Sequence, residues 1–288
     1  MLSQLWTTIN DMSESADVGG PDSGARVAIT RPRHLSPSSA STFRQCPRRW
    51  KFRYVDRLPD PKGIPALVGT FVHRVLEELL VLDPTDRTLD RARALAGELW
   101  PETAEDPDFV ALELGQDAAR GVRWDAWRLV ENYFAMEDPT LVRVADREQR
   151  LDVDLDGVPF LGIVDRTEFT ETGIRVTDYK TGKAPRERYV ADKLDQVWLY
   201  AAALGASGRP VDEVRLMYLT GVNVDRPVDP AAVAAAVARH SETWNDIGRA
   251  VGDDSFPFKL GPLCGWCPYI EHCEEGRLEV ERRRGPLR

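Results

Sequence analysis

The chain has 288 residues, of which 42% are hydrophobic and 30% charged, and a formal net charge of -9. This length supports one large domain or two small ones with a substantial core, and no apolar run approaches the roughly 18 to 20 residues of a membrane helix. The negative charge argues against a protein that coats nucleic acid through a general positive field, while leaving room for a local basic groove; without a basic and apolar leader, the expected compartment is the cytoplasm.

Residues 1–33 are rich in Ser, Asp, Gly and Pro and read as a disordered tail, followed by a single domain over 34–288. Its first part, 34–140, is expected to be mostly helical. Ser36 and Ser38 flank Pro37 and offer a helix N-cap, and the helix is expected to run through Phe43, Cys46 and Trp50. Arg44, Arg48, Arg49, Lys51, Arg53 and Arg57 interleave there with Phe43, Trp50, Phe52 and Tyr54; a solvated helix face is the plain reading of such a run. A second helix is expected from Ala66 to Leu82. Phe71, Val75, Leu79 and Leu82 form one stripe on it, and Gly69, His73, Leu76 and Leu80 another, so it is buried on two sides. Asp86 to Trp100 and Val110 to Met136 read as two further helices.

The period changes to two in the stretch 141–220, read as the core that carries the chemistry. Leu151, Val153 and Leu155 alternate with acids, Asp156-Gly157 makes a hairpin turn, and Val158 to Phe169 returns as a second strand. Ile174 to Lys180 is the third strand, reached by a turn at Glu171-Thr172-Gly173. A helix from Tyr189 to Leu204, a strand from Val211 to Thr220 and an Ala-rich helix from Pro230 to Val251 follow. The part 221–288 is otherwise helical and carries three cysteines.

The third strand places Asp178 and Lys180 on one face, and antiparallel pairing across the turn lets Asp165 converge on Asp178. Two carboxylates plus a backbone carbonyl suit Mg²⁺ or Mn²⁺, with Lys180 placed to orient water or offset charge building on phosphorus; a surface Asp-Lys pair is the plain reading of so short a pattern. His73 lies one turn after Gly69, whose missing side chain leaves room for substrate or another backbone. Gln196 and Tyr200, four residues apart on one helix face, are candidates to bind the scissile phosphate. Glu148 lies on an alternating strand and reads as solvent-facing, with a part in the site as the lesser reading.

Cys264-x2-Cys267-x5-Cys273 forms a tight cluster in a Gly/Pro-rich loop, and Cys46 lies far upstream. Four thiolates suit an iron-sulfur cluster or a structural zinc; one distant ligand with a compact trio favours a cluster that staples the ends of a domain together. A disulfide framework does not fit a chain without a secretory signal.

Together, Gly69-Thr70-x2-His73, Gly162-Ile163-Val164-Asp165-Arg166, Asp178-Tyr179-Lys180-Thr181-Gly182, Gln196-x3-Tyr200 and the four cysteines resemble the RecB-like branch of the PD-(D/E)XK nucleases, including its iron-sulfur members such as the AddB nuclease domain and the CRISPR adaptation nuclease. The resemblance spans residues from about 35 to 275. It implies an α/β, restriction-endonuclease-like core, a central mixed sheet flanked by helices, with a helical insertion and an Fe-S clasp. It implies His73, Asp165, Asp178 and the Tyr179 carbonyl as ligands of Mg²⁺ or Mn²⁺, with Lys180 as catalytic lysine. Gln196 and Tyr200 would belong to the substrate-binding motif, joined by Arg48 and Arg49 on the basic-aromatic stretch, and Cys46, Cys264, Cys267 and Cys273 would hold a [4Fe-4S] cluster. The function so implied is a metal-dependent exonuclease on single-stranded or frayed DNA, in repair or recombination, with a helicase or repair protein as a partner. The sequence contains no G-x4-GK[ST] phosphate loop of its own. The rival readings are a non-catalytic Fe-S module for DNA binding or complex assembly and, more weakly, a zinc-stabilised metabolic enzyme.

Overall fold

The structure is a computed structural model that describes residues 30–284. The tail expected over 1–33 therefore lies outside the described residues as far as position 29. Arg31 already belongs to the body, its guanidinium lying 3.5 Å from the Trp244 ring centroid.

Helix α1 (Pro37–Gln45) starts at Ser36, whose side chain accepts the Ser39 N–H, and α2 (Pro47–Tyr54) follows after one residue. The single helix expected through Cys46 is thus two. Pro47 clashes with a helical residue before it, so Cys46 is extended at φ -163° and forms a corner between the helices. Trp50 is buried below that corner, its ring stacked on Phe256 and its Nε1 donating to Ser39 Oγ. Helix α3 (Ile64–Val81) carries both stripes inward and packs with α4 (Leu89–Ala104) and α6 (Gln116–Met136), while the single turn α5 (Pro107–Val110) sets Phe109 edge-on to Trp100 of α4.

The five-stranded sheet runs in the order β1 (Val144–Leu155), β2 (Val158–Phe169), β3 (Ile174–Lys180), β4 (Glu213–Tyr218), β5 (Val222–Pro227). β3 and β4 are parallel because α7 (Val190–Ala206) carries the chain between them, and the other neighbours are antiparallel. Asp156 and Gly157 both have positive φ, as a two-residue hairpin with right-handed strand twist requires. One face of the sheet buries Val164, Val176 and Leu216 against α7 and α8 (Pro230–Gly252). On the other, Tyr179, Met217 and Leu219 join the core of α3, α4 and α6. The result is a mixed sheet with helices on both faces, as expected for a restriction-endonuclease-like fold. β5 is the one strand absent from the sequence reading. α9 (Glu274–Arg284) ends the described chain beside the cysteines.

Candidate active site

The site forms where the sheet opens. The pairing of β2 with β3 reaches Arg166 opposite Thr177, and the next N–H on β3, that of Tyr179, is taken by Asp165 Oδ2 at 2.7 Å instead of a strand carbonyl. On the other side of β2, Arg147 pairs with Arg166 and Gln149 with Val164, while Glu148 between them has φ +43°. A non-glycine residue in that left-handed region costs roughly 1 to 2 kcal/mol, and here it turns Glu148 toward Asp165. From α3, His73 brings Nδ1 to 3.4 Å from Asp165 Oδ1. One donor atom each from His73, Glu148 and Asp165 lie within 4.8 Å of one another. Glu148, expected to face solvent, is thus part of the site.

Asp178 and Lys180 project from the same end of β3. Lys180 Nζ lies 2.6 Å from Asp178 Oδ2 and donates to Gln196 Oε1 at 3.0 Å. Gln196 Nε2 donates to Asp178 Oδ1 and to Tyr200 Oη, both at 2.8 Å. Gln196 lines the cleft, whereas Tyr200 is buried and holds Gln196 rather than reaching outward as a phosphate ligand. Gly162 makes this possible. A Cβ there would lie 2.7 Å from the Tyr200 ring and 2.9 Å from that of Phe160, so the glycine of the second strand admits the tyrosine that fixes the third. At Gly69, by contrast, a Cβ would meet only Thr181 Oγ1 at 3.5 Å, an ordinary contact.

The charges are strongly coupled. Burial works against a charged His73, but the Asp165 carboxylate overrides it and lifts the imidazole to about 9. Burial, then the nearby Asp165 charge, lifts Glu148 to about 8. Burial also raises Asp178 above the usual carboxylate range against the pull of Lys180, while Asp165, despite burial, is held low by His73, Lys180 and the Tyr179 N–H. Burial disfavours the Lys180 ammonium, and Asp178 more than restores it, so Lys180 is cationic and serves as a donor rather than a base. The three carboxylates gathered in little space repel one another as anions; a hard divalent cation relieves that repulsion, and the oxygen-rich donor set fits Mg²⁺ or Mn²⁺.

Behind the site lies a buried ionic network. Arg166, fully buried, pairs with Glu137 at the end of α6 and with Glu168 at 2.6 Å, and donates to Tyr179 Oη at 2.9 Å. Arg215 reaches Glu137 at 3.3 Å. The helical insertion is therefore bolted to the strand whose backbone holds Asp165. A buried arginine carries no periodic signal, and sequence reading passes over its role.

The cleft in front has a volume of about 620 Å³, and its walls include His73, Lys180 and Gln196 with the cations Arg44, Lys183 and Lys193. Arg48 and Arg49 are elsewhere. They line a second pocket of about 250 Å³, together with Cys46, Cys264, Cys267 and Cys273, all four with free thiols. Arg48 Nε donates to the Phe256 carbonyl at 2.9 Å. Among the described residues only His73, Glu148 and Asp165 bring three donor atoms within 4.8 Å of one another.

A mixed α/β sheet that opens onto carboxylates, a histidine and a half-buried lysine has the donor set of a metal-dependent hydrolase. Residues 34–274 match the PD-(D/E)XK nuclease superfamily, and the chain belongs to it. Its members are nucleases that use divalent metal ions, and the family implies DNA as the substrate. No curated protein matches the chain. Among solved structures it is similar to one titled "Crystal structure of SSO0001", at 13% identity and a TM-score of 0.33, over 73% of this chain and 95% of that one. No helix among the described residues is long and apolar enough to cross a membrane.

Proposed function

We propose that the protein is a RecB-like, metal-dependent exonuclease that cuts single-stranded or frayed DNA in repair or recombination, working beside a helicase or another repair protein. The observation that carries this reading is the convergence of His73, Glu148 and Asp165 next to the Asp178–Lys180 pair at the wall of a cation-lined cleft. In it, His73, Glu148 and Asp165 hold Mg²⁺ or Mn²⁺, joined by Asp178 and the Tyr179 carbonyl. When bound, such an ion supplies Lewis acidity and lowers the pKa of water. Lys180, kept charged by Asp178 and aimed by Gln196, donates to the phosphate oxygen on which charge grows. Gln196 and Tyr200 position Asp178, while Arg44, Lys183 and Lys193 pair with phosphates along the strand.

In the same reading Cys46, Cys264, Cys267 and Cys273 hold a [4Fe-4S] cluster. The pocket that the four cysteines share, and the one distant ligand beside a compact trio, support this reading. The test is a cleavage assay with Mg²⁺ or Mn²⁺ on DNA labelled at either end, using protein purified without oxygen. Asp178→Ala and Lys180→Ala should each lower cleavage at least a hundredfold while the brown chromophore and DNA binding persist. Undiminished cleavage in both variants removes the catalytic assignment, and an uncut strand with wild-type protein under every metal leaves the non-catalytic Fe-S module.

A further inference from the structure

The segment Phe258–Trp266, which runs into the cysteine loop, exposes its large apolar side chains. Trp266 is 85% exposed, Leu263 58%, and Phe258 and Leu260 are exposed as well. An indole held in water on the short turn Pro262–Trp266 contributes nothing to the core. Its surroundings are selective in charge. The cysteine pocket, whose lining residues Cys264 and Cys267 flank this indole in the chain, also carries Arg48, Arg49 and Lys259 and no carboxylate, in a chain whose net charge is -9. Arg49 Nε is buried without a hydrogen-bond partner.

This cationic lining continues into the catalytic cleft. Gln45 lines the cysteine pocket and Arg44, its neighbour on α1, lines the cleft, while Lys259 Nζ donates to the Arg44 carbonyl at 2.8 Å. The two pockets thus meet across the last turn of α1, and in the cleft Arg44, Lys180, Lys183 and Lys193 outnumber its one acid, Asp192. A polyanion matches the charge, and only an unpaired strand offers base faces to an exposed indole together with phosphates to arginine and lysine.

We infer that Trp266 is a stacking platform for the bases of a single strand whose phosphates follow Arg48, Arg49 and Lys259 toward Arg44 and the catalytic cleft. The inference rests on the nuclease reading for the destination of the strand, and adds the place where the strand first lands. Its test is binding of a fluorescein-labelled oligo(dT) strand to the full chain in buffer without divalent cations, compared with a blunt duplex. Trp266→Ala should weaken strand binding about tenfold, Trp266→Phe should restore most of it, and duplex binding should not change. Equal strand binding by Trp266→Ala and wild type overturns the platform, as expected if the surface docks a protein. The two readings fail separately. Trp266-dependent binding by a wild-type protein that never cuts keeps the platform and removes the nuclease, while cutting with no Trp266 dependence does the reverse.

Discussion

Glu148 shows how one backbone angle reshapes a site. At φ +43° it departs from the extended conformation of its strand, and the departure brings its carboxylate to His73 and Asp165. A left-handed residue with a Cβ is strained, so the usual order of glycine and alanine in a strand should invert here. Glu148→Gly should be about 1 kcal/mol more stable than Glu148→Ala in urea unfolding, although both lose the donor and should bind Mn²⁺ at least tenfold more weakly. If alanine proves the more stable, the strained conformation is wrong; if Mn²⁺ binding is unchanged, Glu148 is no ligand. Counting outward from the Asp156-Gly157 turn sets Glu148 opposite Asp165, a signal present in the sequence, whereas alternation alone assigns it to solvent. Asp165, Asp178, Lys180 and His73 were legible because each ends an apolar stretch or interrupts an apolar face with a charge. The inward turn of Tyr200 was not, because four-residue spacing fixes a shared helix face but not what that face meets.

Elements were legible where period and punctuation agreed. β2 and β3 have their expected bounds, whereas α1 and α2 read as one helix because their composition is continuous and only Pro47 marks the break. β5 is short, with a single buried position, which leaves too little alternation to read. Helix α8 carries a consequence for pH. His240 is fully buried on it, its ring 5.6 Å from that of Phe160, and neither ring nitrogen makes a hydrogen bond of good geometry. Burial holds the imidazole down to about 4; a contact with the Leu35 backbone opposes this only in part, and the Arg44 charge adds to it. The unfolded chain binds this proton near 6.5 and the folded chain does not, so stability is full above about 6.5 and falls as pH drops toward 4. The loss is of order 3 kcal/mol at most, from about 1.36 kcal/mol per unit. In urea unfolding at pH 7 and pH 5, His240→Leu should lose less stability between the two than wild type does. An equal loss in both proteins would place the acid sensitivity elsewhere.

At the scale of the molecule, two kinds of fastening hold the chain ends to the body. The first is ordinary packing. Phe256 stacks on Trp50 with ring centroids 6.0 Å apart, the Arg48 N–H donates to the Pro257 carbonyl, and Leu35, Phe43, Trp244 and Ile247 share their core. The second begins after Lys259. From there the described backbone hydrogen bonds are local turns, such as Cys267 N–H to the Cys264 carbonyl, and the contacts back to α2 are ring contacts of Phe52 with Tyr269 and His272. A segment whose main anchor to α2 is the single buried ring of Tyr269 opens at low cost unless something else ties it down, and a cluster shared with Cys46 would do so. Losing a ligand should therefore loosen the clasp without melting the sheet. In hydrogen exchange, Cys264→Ser should speed the amides of 260–284 at least tenfold and leave β2, β3 and β4 at wild-type rates. A rise across the sheet as well would make the cysteines part of the global fold, and no change in 260–284 would mean that packing alone secures the chain end.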